Sequence, residues 1–226
     1  MDKEQLFNQV MWTHIVESFV NDLFKDEQTS KGIVVADIDN TLVEPCPEII
    51  GIYKTKNGKT EWLTCHEYDT DPDLLDDNPD VQWDYSDFYD PEKARESILQ
   101  GIPILGNLEI IDQYIQMGYD FAFLTARSNE DVIKEALEKF LKYRDETGEL
   151  KHLKNIFKKG FSAAIGDDKY IQVFGDLNAA QKKGKVLEYL CDKYDRVIFI
   201  DDSPKNLKVA KELGLLNLEI IEAKRN

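Results

Sequence analysis

Three short polar clusters close three apolar runs of this 226-residue chain. Asp37-Ile38-Asp39-Asn40-Thr41 follows GIVVA, Thr125-Ala126-Arg127 follows YDFAFL, and Asp201-Asp202-Ser203 follows DRVIFI. Alternation along a strand that persists through DID turns Asp37 and Asp39 to one face. One is then suited to attack as a nucleophile and the other to shuttle a proton. Two carboxylates ~5 Å apart repel by roughly 3 kcal/mol at an effective dielectric of about 20. Asp37, Asp39, Asp201 and Asp202 in one crevice therefore raise their own pKa values or require a cation. Hard oxygen ligands with open positions suit Mg2+, which partners with phosphate oxygens.

Such residues need a scaffold that brings them together. Short β-branched runs predict buried parallel strands over 32–43, 119–127, 195–203 and 218–223, with a weaker one in either half of 161–176. Helical patterns separate them at 107–118, 129–148, 183–194 and 203–214, with Gly118 at a helix end and Asn129 placed to cap the second. Strands alternating with helices predict an α/β fold, a Rossmann-like three-layer parallel sheet. In such a sheet ligands bind beyond the carboxyl ends of the strands, where strand order reverses. A central first strand makes all three clusters converge.

Two regions stand outside this alternation. Residues 3–25 carry apolar side chains at helical spacing, so residues 1–30 are expected to form a helix packed on the core. Residues 44–104 read as a small inserted cap between the parts of the core, 31–43 and 105–226. The insertion holds a hairpin signal around Asn57-Gly58, an acidic segment, and a short helix in PEKARESILQG. Ten acids and no Lys or Arg lie between Glu67 and Asp90, which repel a polyanionic substrate if the segment lies over the site; the Asp69-x-Asp71-x-Asp73 part is expected to be a solvated acidic loop. The hairpin and this segment are expected to gate a partly open crevice. Aromatic residues there, Trp83, Tyr85, Phe88 and Tyr89, either pack the insertion on the core or touch a base or sugar ring.

Lys and Arg number 28 against 44 Asp and Glu, a formal charge of −16, which argues against a general nucleic-acid or anionic-membrane binder. Three cysteines without a CxxC exclude a disulfide framework and point to a reducing compartment. With no secretory pattern at the start and no apolar run long enough for a membrane span, a cytoplasmic location is expected. No partner protein is inferable.

DIDNT, the FLTAR strand, a lysine in QKKGKVLEYL and IDDSPKN resemble the four ordered motifs of the haloacid dehalogenase superfamily, and within it the Mg2+-dependent phosphatases. The resemblance spans 33–43 and 119–221. It implies Asp37 as a nucleophile forming an aspartyl-phosphate, and Asp39 as the acid that protonates the leaving group and then activates water. It further implies that Thr125 holds a phosphoryl oxygen. Asn40, Ala126 and Arg127 are expected beside the substrate, and Arg127, two residues past Thr125, either reaches a substrate phosphate or pairs with a core acid. Lys183 neutralises charge, in preference to Lys182 or Lys185. Mg2+ takes Asp37, the Asp39 backbone carbonyl and Asp201, with Asp202 in support. Asn40 stands where Gly is more usual, which concerns local backbone geometry and not chemistry.

Other patterns give way. A receiver domain has its acidic pair early and its lysine last, the reverse of the order here. Retention of Asp39 speaks against the dehalogenase branch. Asp69-x-Asp71-x-Asp73 lacks the glycine a calcium loop needs at its sixth position, where Leu74 stands. Cys65-His66 has no zinc spacing. The expected activity is hydrolysis of a phosphomonoester, the substrate a nucleotide, sugar phosphate or other small phosphorylated metabolite. A nucleic-acid end phosphatase and a non-catalytic binding module of the same fold are the alternatives.

Overall fold

The computed structural model describes residues 31–75, 78–148, 150, 161–166, 174, 175 and 177–224. The helix expected at the N-terminus lies outside them. Strand β1 (Ile33–Ala36) is buried on both faces, a state that requires strands at both edges and a layer of helix on each side. The strands beside it are β7 (Asp120–Thr125) and β9 (Val197–Asp201); β8 (Phe161–Ala164) lies beyond β7, and β10 (Leu218–Glu222) beyond β9. The order is β10-β9-β1-β7-β8, all parallel, so β1 is central and the chain reverses direction across the sheet between β1 and β9. The uncertain strand of 161–176 is thus its first half.

Period-two alternation sends neighbours in β1 to opposite layers. Val34 and Ala36 join a cluster with Ala94, Ile98, Leu108, Ile111 and Ile133. These come from helices α4 (Pro91–Leu99), α5 (Leu105–Gln116) and α6 (Glu130–Glu146). Ile33 and Val35 pack against Val186, Leu187 and Leu190 of α7 (Ala179–Lys193) and Ala210 of α8 (Pro204–Glu212). Helix α4 is part of the insertion by chain order but packs on α6 and into the core. Among the described residues, no helix is long and apolar enough to cross a membrane.

Two helix starts differ from expectation. Asn178 and Gln181 form a reciprocal capping box, so α7 begins four residues before the expected 183 and carries Lys183 in its second turn. Asn129 precedes α6 in a left-handed conformation (φ 64°) and makes no side-chain cap. Its amide donates instead to Tyr89 O, 3.0 Å away in the insertion, and to Ser128 Oγ.

The insertion leaves and returns through a two-residue antiparallel pair, β2 (Val43–Glu44) with β6 (Ile102–Pro103). The hairpin is present: β3 (Ile52–Lys56) and β4 (Lys59–Leu63) join through Asn57 (φ 51°) and Gly58 (φ 72°), the consecutive positive φ values that a tight hairpin turn demands. The acidic segment is not a solvated loop. It folds as α1 (Cys65–Asp69), α2 (Pro72–Leu75), β5 (Val81–Asp84) and α3 (Ser86–Tyr89), and β5 pairs with β3 to make a three-stranded sheet, β4-β3-β5. Lysines of β3 supply the missing counter-charge: Lys54 Nζ lies 2.6 Å from Asp71 and 2.9 Å from Asp73, and Lys56 Nζ lies 2.7 Å from Asp73. The hairpin is therefore not a separable gate, because its first strand is the centre of that sheet.

Candidate active site

The turn after β1 sets the geometry. Ile38 O accepts the backbone N–H groups of Leu42 and Val43 at 2.9 and 3.0 Å, and Asn40 adopts φ 54°. Asn tolerates this left-handed region better than other residues with a Cβ, which accounts for its standing in a Gly-like position. Buried Asn107 of α5 fastens the turn, donating to Thr41 O (2.7 Å) and Lys224 O (2.9 Å) and accepting from Lys224 N. The strand does not persist through DID, yet both acids reach the same crevice.

Asp37 sits at its floor. Lys183 Nζ lies 2.8 Å from Asp37 Oδ1 and 2.8 Å from Asp201 Oδ2, with the lysine 1% exposed. Burial would lower the Lys183 pKa, but Asp201 and Asp37 outweigh it and hold the ammonium charged, above its ordinary value. Lys185, by contrast, pairs with Glu188 on the surface, and Lys182 lines the crevice rim. For Asp37 the balance runs the other way. Burial raises its pKa well above the carboxylate range, and Asp201, Asp39 and Asp202 add to that against the pull of Lys183.

Asp37, Asp201 and Asp202 are all buried, and each offers an oxygen within 4.8 Å of the others. Hard, buried oxygen donors with excess negative charge fit a small divalent cation such as Mg2+. Asp202, expected in support, stands in the cluster itself, and the Asp39 carboxylate pairs with Arg127, which leaves its backbone carbonyl as the atom expected to reach a cation. Asp201 already accepts from Lys183, from Ser203 N (2.9 Å) and from Asn206 Nδ2 at both oxygens (3.0 Å). A cation at this cluster would share the Asp201 carboxylate with those donors.

Of the two readings of Arg127, the structure shows the pairing with an acid. Its Nε and Nη2 clamp Asp39 at 2.8 and 2.5 Å, and its Nη1 donates to Ala94 O (2.8 Å) and Ser97 Oγ (3.0 Å) of α4. Phe88 lies against the guanidinium, its ring centre 5.6 Å from the central carbon. Burial opposes the charge, but Asp39 raises the Arg127 pKa. With its donors so committed, Arg127 positions Asp39, and through α4 the insertion positions Arg127.

Thr125 and Asn40 are also engaged by the protein itself. Thr125 is fully buried, does not line the crevice, and accepts the Arg127 N–H at its Oγ (3.2 Å). It shapes the turn that presents Ala126, which does line the crevice. Gly166 packs under that turn, where a Cβ would meet Ala126 O at 2.7 Å. Asn40 donates its amide to Asp69 of the insertion (3.1 Å). Thr41 Oγ1 lies 3.3 Å from Asp202 Oδ1 as donor.

The crevice encloses about 840 Å³ between the sheet edge and the insertion. Asn206 was missed in the sequence, although IDDSPKN contains it three residues past Ser203; its place in the first turn of α8 aims its amide back at Asp201. Ser97 had no local signal at all.

No protein-family model matches the chain, and no curated protein does. Among solved structures it is similar to a HAD family enzyme from Bacteroides thetaiotaomicron in a magnesium complex, at 14% identity and a TM-score of 0.38, over 88% of this chain and 96% of that one. That likeness is a loose one.

Proposed function

We propose that the protein is a Mg2+-dependent phosphomonoester hydrolase working through an aspartyl-phosphate, as its resemblance to haloacid dehalogenase-type phosphatases implies. The observation that carries this is the unequal treatment of two carboxylates two residues apart. Asp37 lies among buried acids with Lys183 at its oxygen, whereas Asp39 is held apart by Arg127 at the crevice. Their separate surroundings suit separate roles, a nucleophile beside Lys183 and a proton carrier open to the crevice.

In this reading an Asp37 oxygen attacks phosphorus while the bond to the leaving oxygen breaks, and Asp39 gives that oxygen its proton. Asp39, now ionised, takes a proton from water. The resulting hydroxide oxygen attacks the same phosphorus, and the Asp37–phosphorus bond breaks, returning the carboxylate and releasing phosphate. Lys183 keeps its charge throughout and offsets that of the phosphoryl oxygens. Mg2+ at Asp37 and Asp202, with Asp201, would add the neutralisation that lets a dianionic phosphate approach three acids.

Hydrolysis of p-nitrophenyl phosphate should stop in EDTA and return with added Mg2+. Full turnover in chelator would remove the cation from the mechanism.

A further inference from the structure

The crevice has two chemically unlike linings. The insertion contributes half-exposed aromatic rings. Tyr68 stands edge-on to Trp83 (5.0 Å between ring centres) and to Tyr85 (5.8 Å), and the two tyrosine hydroxyls lie 2.8 Å apart. These rings rest on the small cluster Ile50, Ile52 and Cys65 without being swallowed by it. Tyr89, beside them, is 52% exposed. Ring-on-ring packing with a shared hydroxyl bond makes a stiff platform, which loses little entropy when a flat ligand settles on it.

The core contributes ammonium groups. Lys182 of α7 and Lys205 and Lys208 of α8 line the same crevice, the last two on one helix face at a spacing of three. The three lysines share the crevice with Asp37 and Asp202 of the cluster and with Asp69, Asp73 and Glu212. Burial also holds Lys182 below its ordinary pKa, as for an ammonium half withdrawn from water. The volume of about 840 Å³ sits high in the range of roughly 300–1,000 Å³ usual for small-ligand sites, more than one simple phosphate ester needs.

We infer that the substrate is a nucleotide bearing a second phosphate: its scissile phosphoryl group at Asp37, its base on the Tyr68–Trp83–Tyr85 platform, and its second phosphate among Lys182, Lys205 and Lys208. This rests on the proposed phosphatase reading of the site. The second phosphate is either that of a nucleoside bisphosphate or the first phosphodiester of a phosphate-terminated oligonucleotide; the chemistry that binds it is the same. Asp69 and Glu212 on the crevice and the overall negative charge oppose a long polyanion.

The test is calorimetric binding to the Asp39→Asn protein with Mg2+, in which the cation cluster is intact and turnover is slow. Adenosine 3′,5′-bisphosphate should bind more tightly than adenosine 5′-monophosphate, and that more tightly than ribose 5-phosphate, by about ten-fold for the base. Trp83→Ala should collapse the adenosine-over-ribose ratio, and Lys205→Gln with Lys208→Gln the bisphosphate-over-monophosphate ratio. A 5′-phosphorylated dinucleotide equal to the bisphosphate makes a phosphodiester sufficient, and one that binds no better than the monophosphate restricts the substrate to bisphosphates. If Asp39→Asn does not fold, the same ratios are read as kcat/KM on the wild-type protein. Ribose 5-phosphate binding as tightly as the nucleotides overturns the inference. Failure of the phosphatase reading shows separately, as absence of hydrolysis of every phosphomonoester while the binding ranking persists.

Discussion

Two acidic clusters in this protein meet opposite fates. In the insertion, Asp71 and Asp73 face Lys54 and Lys56, and Asp73 is held well below the carboxylate range by Lys56, Lys54 and the Asn78 amide. In the core, Asp37 is driven well above that range by burial and by the acids around it, although Lys183 touches it. The residue type is the same and only the arrangement differs. Matched carboxylates tie strands and helices together. A buried cluster whose acids oppose one another's ionisation, only partly relieved by Lys183, is where the proposed reading sets the cation and the chemistry. Asp39 belongs to neither class, being matched by Arg127 yet open to the crevice.

The sharpest way to break this comparison is to remove the strained charge. Asp37→Asn should abolish phosphatase turnover, by ~10³-fold or more, since a nucleophile acts as one unit with its partners. In EDTA the same variant should melt at a higher temperature than the wild type, because a carboxylate that is costly to ionise has gone while Lys183 keeps Asp201. Activity assays and thermal melts read both effects. A lower melting temperature would mean that Asp37, like Asp73, is mainly structural.

Arg127→Lys probes the intermediate case. A lysine keeps the charge but loses the two parallel bonds that fix the Asp39 carboxylate. Misplacing a proton donor should lower kcat by about 10- to 100-fold, with KM little moved. A large rise in KM at unchanged kcat would put Arg127 on the substrate, the other reading its position allows.

What the sequence disclosed follows the same division. β1, β7 and β9, the alternation with helices, and the positions of Asp37, Asp39, Lys183 and Asp201 were legible because each is written in a few adjacent residues: an apolar run, then acids. The partners of Arg127 were not, since Asp39, Ala94 and Ser97 meet it across 88, 33 and 30 residues. The acidic segment misled for the same reason. Its own composition has no cation, and the lysines that balance it lie upstream on β3, facing it only once the three-stranded sheet has formed. The start of α7 was legible in Asn178-x-x-Gln181 and passed over because the apolar pattern begins later.

The smallest effect concerns the matched cluster itself. Asp73 has a folded-state pKa below its unfolded value, so its pairing with Lys56 and Lys54 contributes stability that is fully present above the ordinary carboxylate pKa of about 3.9. That contribution is lost as pH falls from there through the lower folded value. Near neutral pH, Asp73→Asn should therefore loosen the insertion and not the core, because the lysines it serves sit on β3 and the parallel sheet shares none of them. The side chains are partly solvated, which keeps the effect modest. Hydrogen exchange at the β3 and β5 amides should quicken by about two- to five-fold, with β1 and β9 unchanged. Acidifying the wild type below the ordinary carboxylate range should reproduce the same local quickening, and acidifying Asp73→Asn should add little at these amides. Equal quickening across both sheets would show that the insertion and the core open as one unit, and that the two acidic clusters are not the independent devices their geometry describes.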